Sequence, residues 1–362
     1  MERILVYGMT DNPGGIEAYL LNTAKRLRDD IRFDFVSDFP DIAHRSELES
    51  MGSKVFFIPA KGKDLFGHWK SFADILKKHP EYKTVYFNLL DAGGAFTELI
   101  PWLFRRRIVT HSHNNGTDKL KLHKLCRPFL KLFTSSQIAC SKVAANYMFG
   151  DNNRATVIPN AIKTEDFIFD KARRDNKRAE LGIGERSAVC HVGRLSMQKN
   201  PFRMLDIFSE LLKTDPNAVL LSVGTGELEK DVHAYADEKG ISKSVMFLGC
   251  RNDVPDILQA ADVFFLPSLY EGLPICLLEA QASGLFSVAS DEITTEADIT
   301  GLVKFISLKK SNAEWAQELL AAAGAPRKDT LGDFISAGYD NSHCEAKNKE
   351  LLRILENQRG EK

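Results

Sequence analysis

Glu271 and Glu279 stand eight positions apart around a helix start, in Glu271-Gly-Leu-Pro-Ile-Cys-Leu-Leu-Glu279. A carboxylate only accepts hydrogen bonds, so it suits two sugar hydroxyls side by side. The apolar run Asp262-Val-Phe-Phe-Leu-Pro267 ahead of it reads as a buried parallel strand ending in a loop. Pro274 suits the first helical position, where its missing N–H needs no partner. The N–H groups around Gly272, Leu273, Pro274 and Ile275 then face the crevice beyond the strand ends and can hold an anion such as phosphate. Spacing alone favours two solvated helix residues. The surrounding sequence is what argues for a site.

Upstream, Ala188-Val-Cys-His-Val-Gly193-Arg194-Leu-Ser-Met-Gln-Lys199-Asn200-Pro201 reads as a strand, a turn at Gly193 and a helix start. Arg194 and Lys199 fall in that strand-to-helix loop, facing the same crevice. One loop cation is an ordinary surface charge. Two of them beside a helix N-terminus make a diphosphate clamp. No Asp-x-Asp pair occurs that would hold a divalent metal, so these cations are expected to do that work without one.

The first half carries a second set. Arg3-Ile-Leu-Val-Tyr7 is an apolar strand, followed by a long loop holding Gly14 and Gly15 and a helix opening near Glu17. The loop lacks the G-x-G-x-x-G spacing of a dinucleotide fingerprint. Paired glycines let backbone approach a phosphate or sugar closely. Two readings fit Glu17: contact with a second substrate, or a first-turn acid favoured by the helix dipole. Further on, Arg107-Ile-Val-Thr-His111-Ser-His113-Asn114 is a strand running into a polar loop. Two histidines at i and i+2 could ligate a metal, but no Cys or carboxylate cluster accompanies them, and no metal is expected.

The elements that must position these residues alternate regularly. Ala218–Val223 runs into Gly224-Thr-Gly226, Ser244–Leu248 into Gly249-Cys250-Arg251-Asn252, and Phe286–Ala289 closes the series. Strand and helix in turn mean right-handed βαβ crossovers and an α/β fold with parallel sheets. At 362 residues the chain suits two domains of ordinary size. The expected boundaries are 1–162, 163–343 and 344–362. They rest on Pro159-Asn160, on the charged segment 163–186 with no sustained apolar period, and on an amphipathic helix with apolar positions 351, 352 and 355.

Gly193-Arg194, Lys199-Asn200, Val223-Gly-Thr-Gly226 and Glu271-x7-Glu279 enclosing Glu-Gly-Leu-Pro resemble the retaining glycosyltransferases of family 4. The resemblance runs over about residues 1–310, and Glu279-Ala-Gln-Ala-Ser-Gly284 is similar to the subgroup that builds bacterial capsules and exopolysaccharides. It implies the GT-B fold, two Rossmann-like domains facing across a central cleft, with the terminal helix crossing back to the first. It further implies a nucleoside-diphosphate sugar donor, UDP-linked by family habit, a glycan or lipid-linked glycan acceptor, and no cofactor. By the same resemblance His111 contacts the donor sugar, with His113 and Asn114 in the same loop. Gly14 and Gly15 lie by the diphosphate and acceptor, Glu271 holds donor hydroxyls, and Glu279 holds the ribose. Arg251 and Asn252 lie near the nucleobase. Two alternatives are a GT-B epimerase acting on the donor alone and a catalytically silent binding subunit.

Charge is uneven behind a net of −1: residues 1–160 hold 23 basic against 17 acidic groups, the rest 25 against 32. The excess concentrates in 102–142, where Lys119, Lys121, Lys124, Arg127 and Lys131 interleave with Leu and Phe at helical spacing. Such a helix either lies on an anionic membrane surface or packs with a solvated basic face. No recognition motif accompanies it, so nucleic acid is not an expected partner. Six scattered cysteines (126, 140, 190, 250, 276, 344) read as apolar fillers in a reduced compartment. No leader or apolar run of about 18 residues is legible, which predicts a cytoplasmic protein, peripheral at most on the inner face of the plasma membrane.

Overall fold

The computed structural model describes residues 1–12, 14–117, 119–151, 153–341 and 345–356. The chain divides into two compact units, Met1–Asn160 with Cys344–Lys362, and Ala161–His343. In the first unit, seven strands, β1 (Glu2–Tyr7), β2 (Ile31–Ser37), β3 (Val55–Phe57), β4 (Thr84–Leu89), β5 (Arg107–Ser112), β6 (Ser136–Ala139) and β7 (Thr156–Val157), form one sheet. Their order is β3-β2-β1-β4-β5-β6-β7, with every pairing parallel. Helices cover both faces, so the central strands are buried: Ile4, Leu5 and Val6 of β1 and Val85 and Phe87 of β4 are fully covered.

The second unit repeats the scheme with β8 (Ala188–Val192), β9 (Val219–Val223), β10 (Val245–Gly249), β11 (Val263–Leu266), β12 (Ser287–Ser290) and β13 (Val303–Ile306). The order is β10-β9-β8-β11-β12-β13, again all parallel. Phe208, Leu220, Phe265 and Trp315 anchor its core. In each unit the strand order reverses once, at β1/β4 and at β8/β11, and such switch points open the crevices where α/β sheets bind ligands.

The division falls after Asn160, two residues before the expected Ile162. The cause is local: Ile162 donates its N–H to Tyr339 O at 2.9 Å and accepts from Asn341 N–H at 2.8 Å. The charged segment 163–186, with no sustained apolar period, contains the helix Lys171–Glu180. It lacks an apolar stripe because guanidinium bonds hold it instead: Arg174 Nη1 donates to Ala261 O at 2.7 Å and Arg178 Nη1 to Ala260 O at 2.6 Å. The C-terminal helix Glu345–Leu355 belongs to the first unit. It buries Leu351 and Leu355 there, and Thr84 Oγ1 donates to Leu355 O at 3.2 Å. Arg107 Nη1 donates to the Ile354 carbonyl. Cys344 and the boundary residue His343 lie outside the described residues. The five described cysteines are free thiols.

Candidate active site

The loop after β8 is held against the loop after β9 by backbone hydrogen bonds. Gly193 donates its N–H to Val223 O at 2.9 Å, and Leu195 to Thr225 O at 3.0 Å. Both contacts require glycine opposite: a Cβ on Gly224 (φ +122°) would sit 2.2 Å from Gly193 O, and one on Gly226 2.3 Å from Leu195 O. Asn200, in the left-handed region at φ 56°, ends the loop and hands the chain to Pro201, the first helical residue. Its amide donates to Pro267 O at 3.2 Å, and Leu269 N–H donates to Gln198 O at 2.8 Å. The loops after β8 and β11 are thereby tied into one wall at the switch point.

On that wall Lys199 Nζ lies 2.5 Å from Glu271 Oε1. Ser268 Oγ also donates to Oε1 at 2.9 Å, and Gln198 Nε2 to Oε2 at 3.2 Å. Burial lowers the Lys199 pKa, but the Glu271 charge, Cys276 beside it and the hydrogen bond to Glu271 together outweigh it and hold the ammonium above its ordinary value. Each cation of the expected clamp has a carboxylate partner. Lys199 is already paired, and Arg194 Nε sits 3.1 Å from Glu227, with both side chains about half exposed. Glu271 is not an open acceptor either. Three protein groups occupy its oxygens, leaving room for about one more donor out of four.

Glu279, by contrast, is half-buried on the helix Ile275–Ala282. Its carboxylate has no hydrogen bond or ion pair among the described residues, and burial pushes its carboxyl up to about 7. Pro274, expected as the first helical residue, is the N-cap, extended at ψ 113°. Its carbonyl accepts the N–H groups of Leu277 and Leu278 at 3.1 and 3.3 Å. The helix so begun leaves Ile275 and Cys276 N–H without intrahelical partners, next to the buried backbone of Gly272 and Leu273. Arg251 is also committed: its guanidinium grips Asp253 at 2.7 and 2.6 Å, while Asn252 beside it is exposed.

In the first unit, Gly14 caps the helix Gly15–Arg26 in extended conformation. Glu17 stands in the first turn of that helix, as one of its two readings has it. It is buried and folds back on its own loop, accepting Thr10 N–H at 3.0 Å and Thr10 Oγ1 at 2.8 Å. Gly8 (φ +116°) lets this loop touch β4, since a Cβ there would lie 2.0 Å from Asn88 O.

Beyond it stand His111 and His113, rings 4.0 Å apart. Tyr86 Oη lies 2.6 Å from His111 Nδ1, and Tyr19 Oη 3.1 Å from Tyr86 Oη. His113 Nε2 lies 2.8 Å from Asn88 Oδ1. The other ring nitrogens, His111 Nε2 and His113 Nδ1, are buried without a partner among the described residues. Burial, helped by the neighbouring ring, holds His111 well below its ordinary range, and burial alone takes His113 down to about 3. Both are neutral imidazoles with one nitrogen anchored and one open. Asn114 is buried and turns inward, its Oδ1 accepting Asn115 N–H at 3.0 Å.

Known proteins can now be set beside this geometry. The family described as "Glycosyltransferase Family 4" matches residues 13–166, and "Glycosyl transferases group 1" matches 173–322. The putative glycosyltransferase EpsF of Bacillus subtilis is 30% identical over 349 residues, 91% of this chain and 90% of that protein. The chain belongs to the family 4 glycosyltransferases. The UDP-Gal:alpha-D-GlcNAc-diphosphoundecaprenol alpha-1,3-galactosyltransferase of Escherichia coli is 35% identical over 259 residues, 66% of each chain. HepE of Anabaena, solved with UDP and glucose, has a TM-score of 0.81 at 20% identity, covering 99% of this chain and 100% of its own. That likeness shows the GT-B fold.

Several residues of this transferase's crevices were not foreseen: Tyr19, Tyr86 and Asn88 in the first unit, His191, Gln198 and Ser268 in the second. A signal did exist for some. Tyr86 and Asn88 interrupt a strand buried on both faces, where an unexplained polar group needs a partner. His191 does the same in β8. Burial and the nearby Lys199 charge hold it down to about 3, and neither of its ring nitrogens has a partner.

Proposed function

We propose that the enzyme moves a sugar, with retention, from a UDP-linked donor to a lipid-linked glycan acceptor in capsule or exopolysaccharide synthesis. The observation that carries this reading is the β8/β11 wall, where Lys199, an unpartnered Glu279 and a helix N-terminus share one switch point. The names of the Escherichia coli and Anabaena relatives support the donor class and the diphosphate-lipid acceptor. The coexistence of exposed Leu and Phe with the exposed Lys119, Lys121, Lys124 and Lys131 supports work at the cytoplasmic face of a membrane. Among the described residues no helix is long and apolar enough to cross one.

Breaking the bond between C1 and the diphosphate oxygen leaves negative charge on phosphate and an oxocarbenium-like sugar. Lys199, Arg194 and the first N–H groups of Ile275–Ala282 stabilise that charge without reorganising solvent. Lys199 exchanges Glu271 for phosphate as the charge develops. The acceptor oxygen bonds C1 on the face the diphosphate leaves, and its proton passes to the departing phosphate oxygen. Glu279 takes the ribose hydroxyls, Glu271 uses its remaining acceptor site for a donor hydroxyl, and neutral His111 offers its open nitrogen to the sugar. No divalent metal is assigned a role.

A thermal-shift panel of nucleotide sugars tests this. A donor at 100 times its dissociation constant stabilises the fold by about 2.7 kcal/mol. Stabilisation by uridine donors over guanosine and adenosine ones is expected. No shift with any nucleotide sugar would overturn the reading, and epimer formation from donor alone would replace it.

A further inference from the structure

The helix Leu120–Phe133 carries two apolar stripes where an ordinary surface helix carries one. His123, Cys126, Leu130 and Phe133 are buried against the first unit. On the other side Leu125, Phe129 and Leu132, at i, i+4 and i+7, are 67%, 54% and 63% exposed. Lys119, Lys121, Lys124 and Lys131 are exposed around this outer stripe, and none has an ion pair among the described residues.

Beside the buried end of this helix, the preceding helix Ala95–Leu103 adds more exposed apolar surface. The Trp102 ring lies 5.1 Å from Phe133, and Trp102 and Leu103 are 41% and 58% exposed. There they border a surface cavity of about 590 Å³, lined also by Arg105, Arg106, Arg107 and Ser135. Arg107 is spent on the C-terminal helix and Arg106 Nη2 on Leu76 O. Arg105, at φ 53°, is exposed, and its side chain has no partner among the described residues.

We infer that this face docks on an anionic bilayer, with Leu125, Phe129, Leu132 and Leu103 entering the interface and the Arg105 cavity taking a lipid phosphate headgroup. Charge complementarity selects the occupant: a second copy of this chain would oppose lysine with lysine, whereas an anionic surface satisfies stripe and cations together. The cavity is an anchor and not the reacting site. It lies at the N-terminal end of β5, where Arg107 begins the strand, and His111 is four residues along it, about 13 Å away. The inference deepens the lipid-linked acceptor proposed above and rests on it for purpose, not for evidence.

The test is co-sedimentation of the full chain with phosphatidylcholine vesicles, with and without phosphatidylglycerol, at low and high salt. Trp102 quenching by doxyl-labelled lipid is read against Trp102→Phe. Binding to anionic vesicles alone, falling with salt and quenching Trp102, is expected. Arg105→Glu should lower partitioning about 25-fold, since it changes two charges and each near the surface is worth roughly fivefold. The triple variant Leu125→Ser, Phe129→Ser, Leu132→Ser should abolish quenching while leaving UDP binding intact, since all three side chains are exposed.

Wild type ignoring anionic vesicles at low salt overturns the inference, as does Arg105→Glu partitioning like wild type. A Trp102 response to inorganic phosphate equal to that with vesicles would make the cavity a soluble-phosphate site and overturn the lipid assignment. UDP calorimetry on the same samples keeps failure of docking distinct from failure of the proposed activity.

Discussion

Lys199 Nζ lies 2.5 Å from Glu271 Oε1, with the two side chains only 14% and 8% exposed. Arg194 and Glu227 make a comparable contact in solvent, 49% and 54% exposed. The two cations of the proposed clamp thus share a chemical task but differ in what else they hold up.

Both Arg194→Ala and Lys199→Ala should lower turnover on the order of 100-fold, the loss of one preorganised donor to a developing charge. Their stabilities should part. Removing Lys199 leaves a buried carboxylate unpaired, at about 3–5 kcal/mol, whereas the exposed Arg194 pair is worth at most about 1 kcal/mol. Thermal unfolding beside steady-state kinetics checks this. Equal melting temperatures would mean the Lys199–Glu271 pair carries no stability.

The glutamates should separate by ligand. Glu279→Ala should weaken binding of free UDP, while Glu271→Ala should leave it nearly intact and cut transfer from the whole donor. Calorimetry decides, and equal losses in both variants would show the roles misassigned.

Glu279 also predicts a pH dependence. Its carboxyl is raised from 4.5 to about 7, so its contribution to stability is full below 4.5 and lost as pH rises through about 7. Ribose hydroxyls need the ionised acceptor, so UDP affinity should rise from pH 6 to 8. Glu279→Gln should flatten both profiles. An unchanged affinity profile in that variant would assign the effect to the nucleotide's own phosphate.

Tyr86→Phe removes the hydroxyl 2.6 Å from His111 Nδ1. A net cost of about 1 kcal/mol is expected from the lost bond, with kcat falling more than KM changes. Nitrogen-15 NMR should show one His111 tautomer in wild type and a mixture in the variant. A mixture already present in wild type would show that Tyr86 does not set the ring.

Activity should survive excess chelator within about a factor of two, because cations and helix N–H groups already occupy the role a metal would have. Complete loss restored by manganese or magnesium would redirect attention to His111 and His113.

The alternation of strand and helix, the glycine turns and the loop-to-helix segments Gly193–Asn200 and Glu271–Glu279 were set by sequence, because period and turn chemistry are local properties. Gly224 and Gly226 were visible too, but their reason was not. Only the folded sheet brings Gly193 O and Leu195 O against them. Which charges face which was decided by tertiary structure alone. Lys199 meets Glu271 and Arg251 meets Asp253, while Glu17 turns back onto Thr10, since side-chain pairing across loops depends on distances that spacing does not encode. The helix Lys171–Glu180 escaped for the same reason: arginine-to-carbonyl bonds hold it, and those leave no apolar period to read. Tyr86 and His111 are 25 residues apart in the chain, and the parallel register of β4 and β5 makes them neighbours.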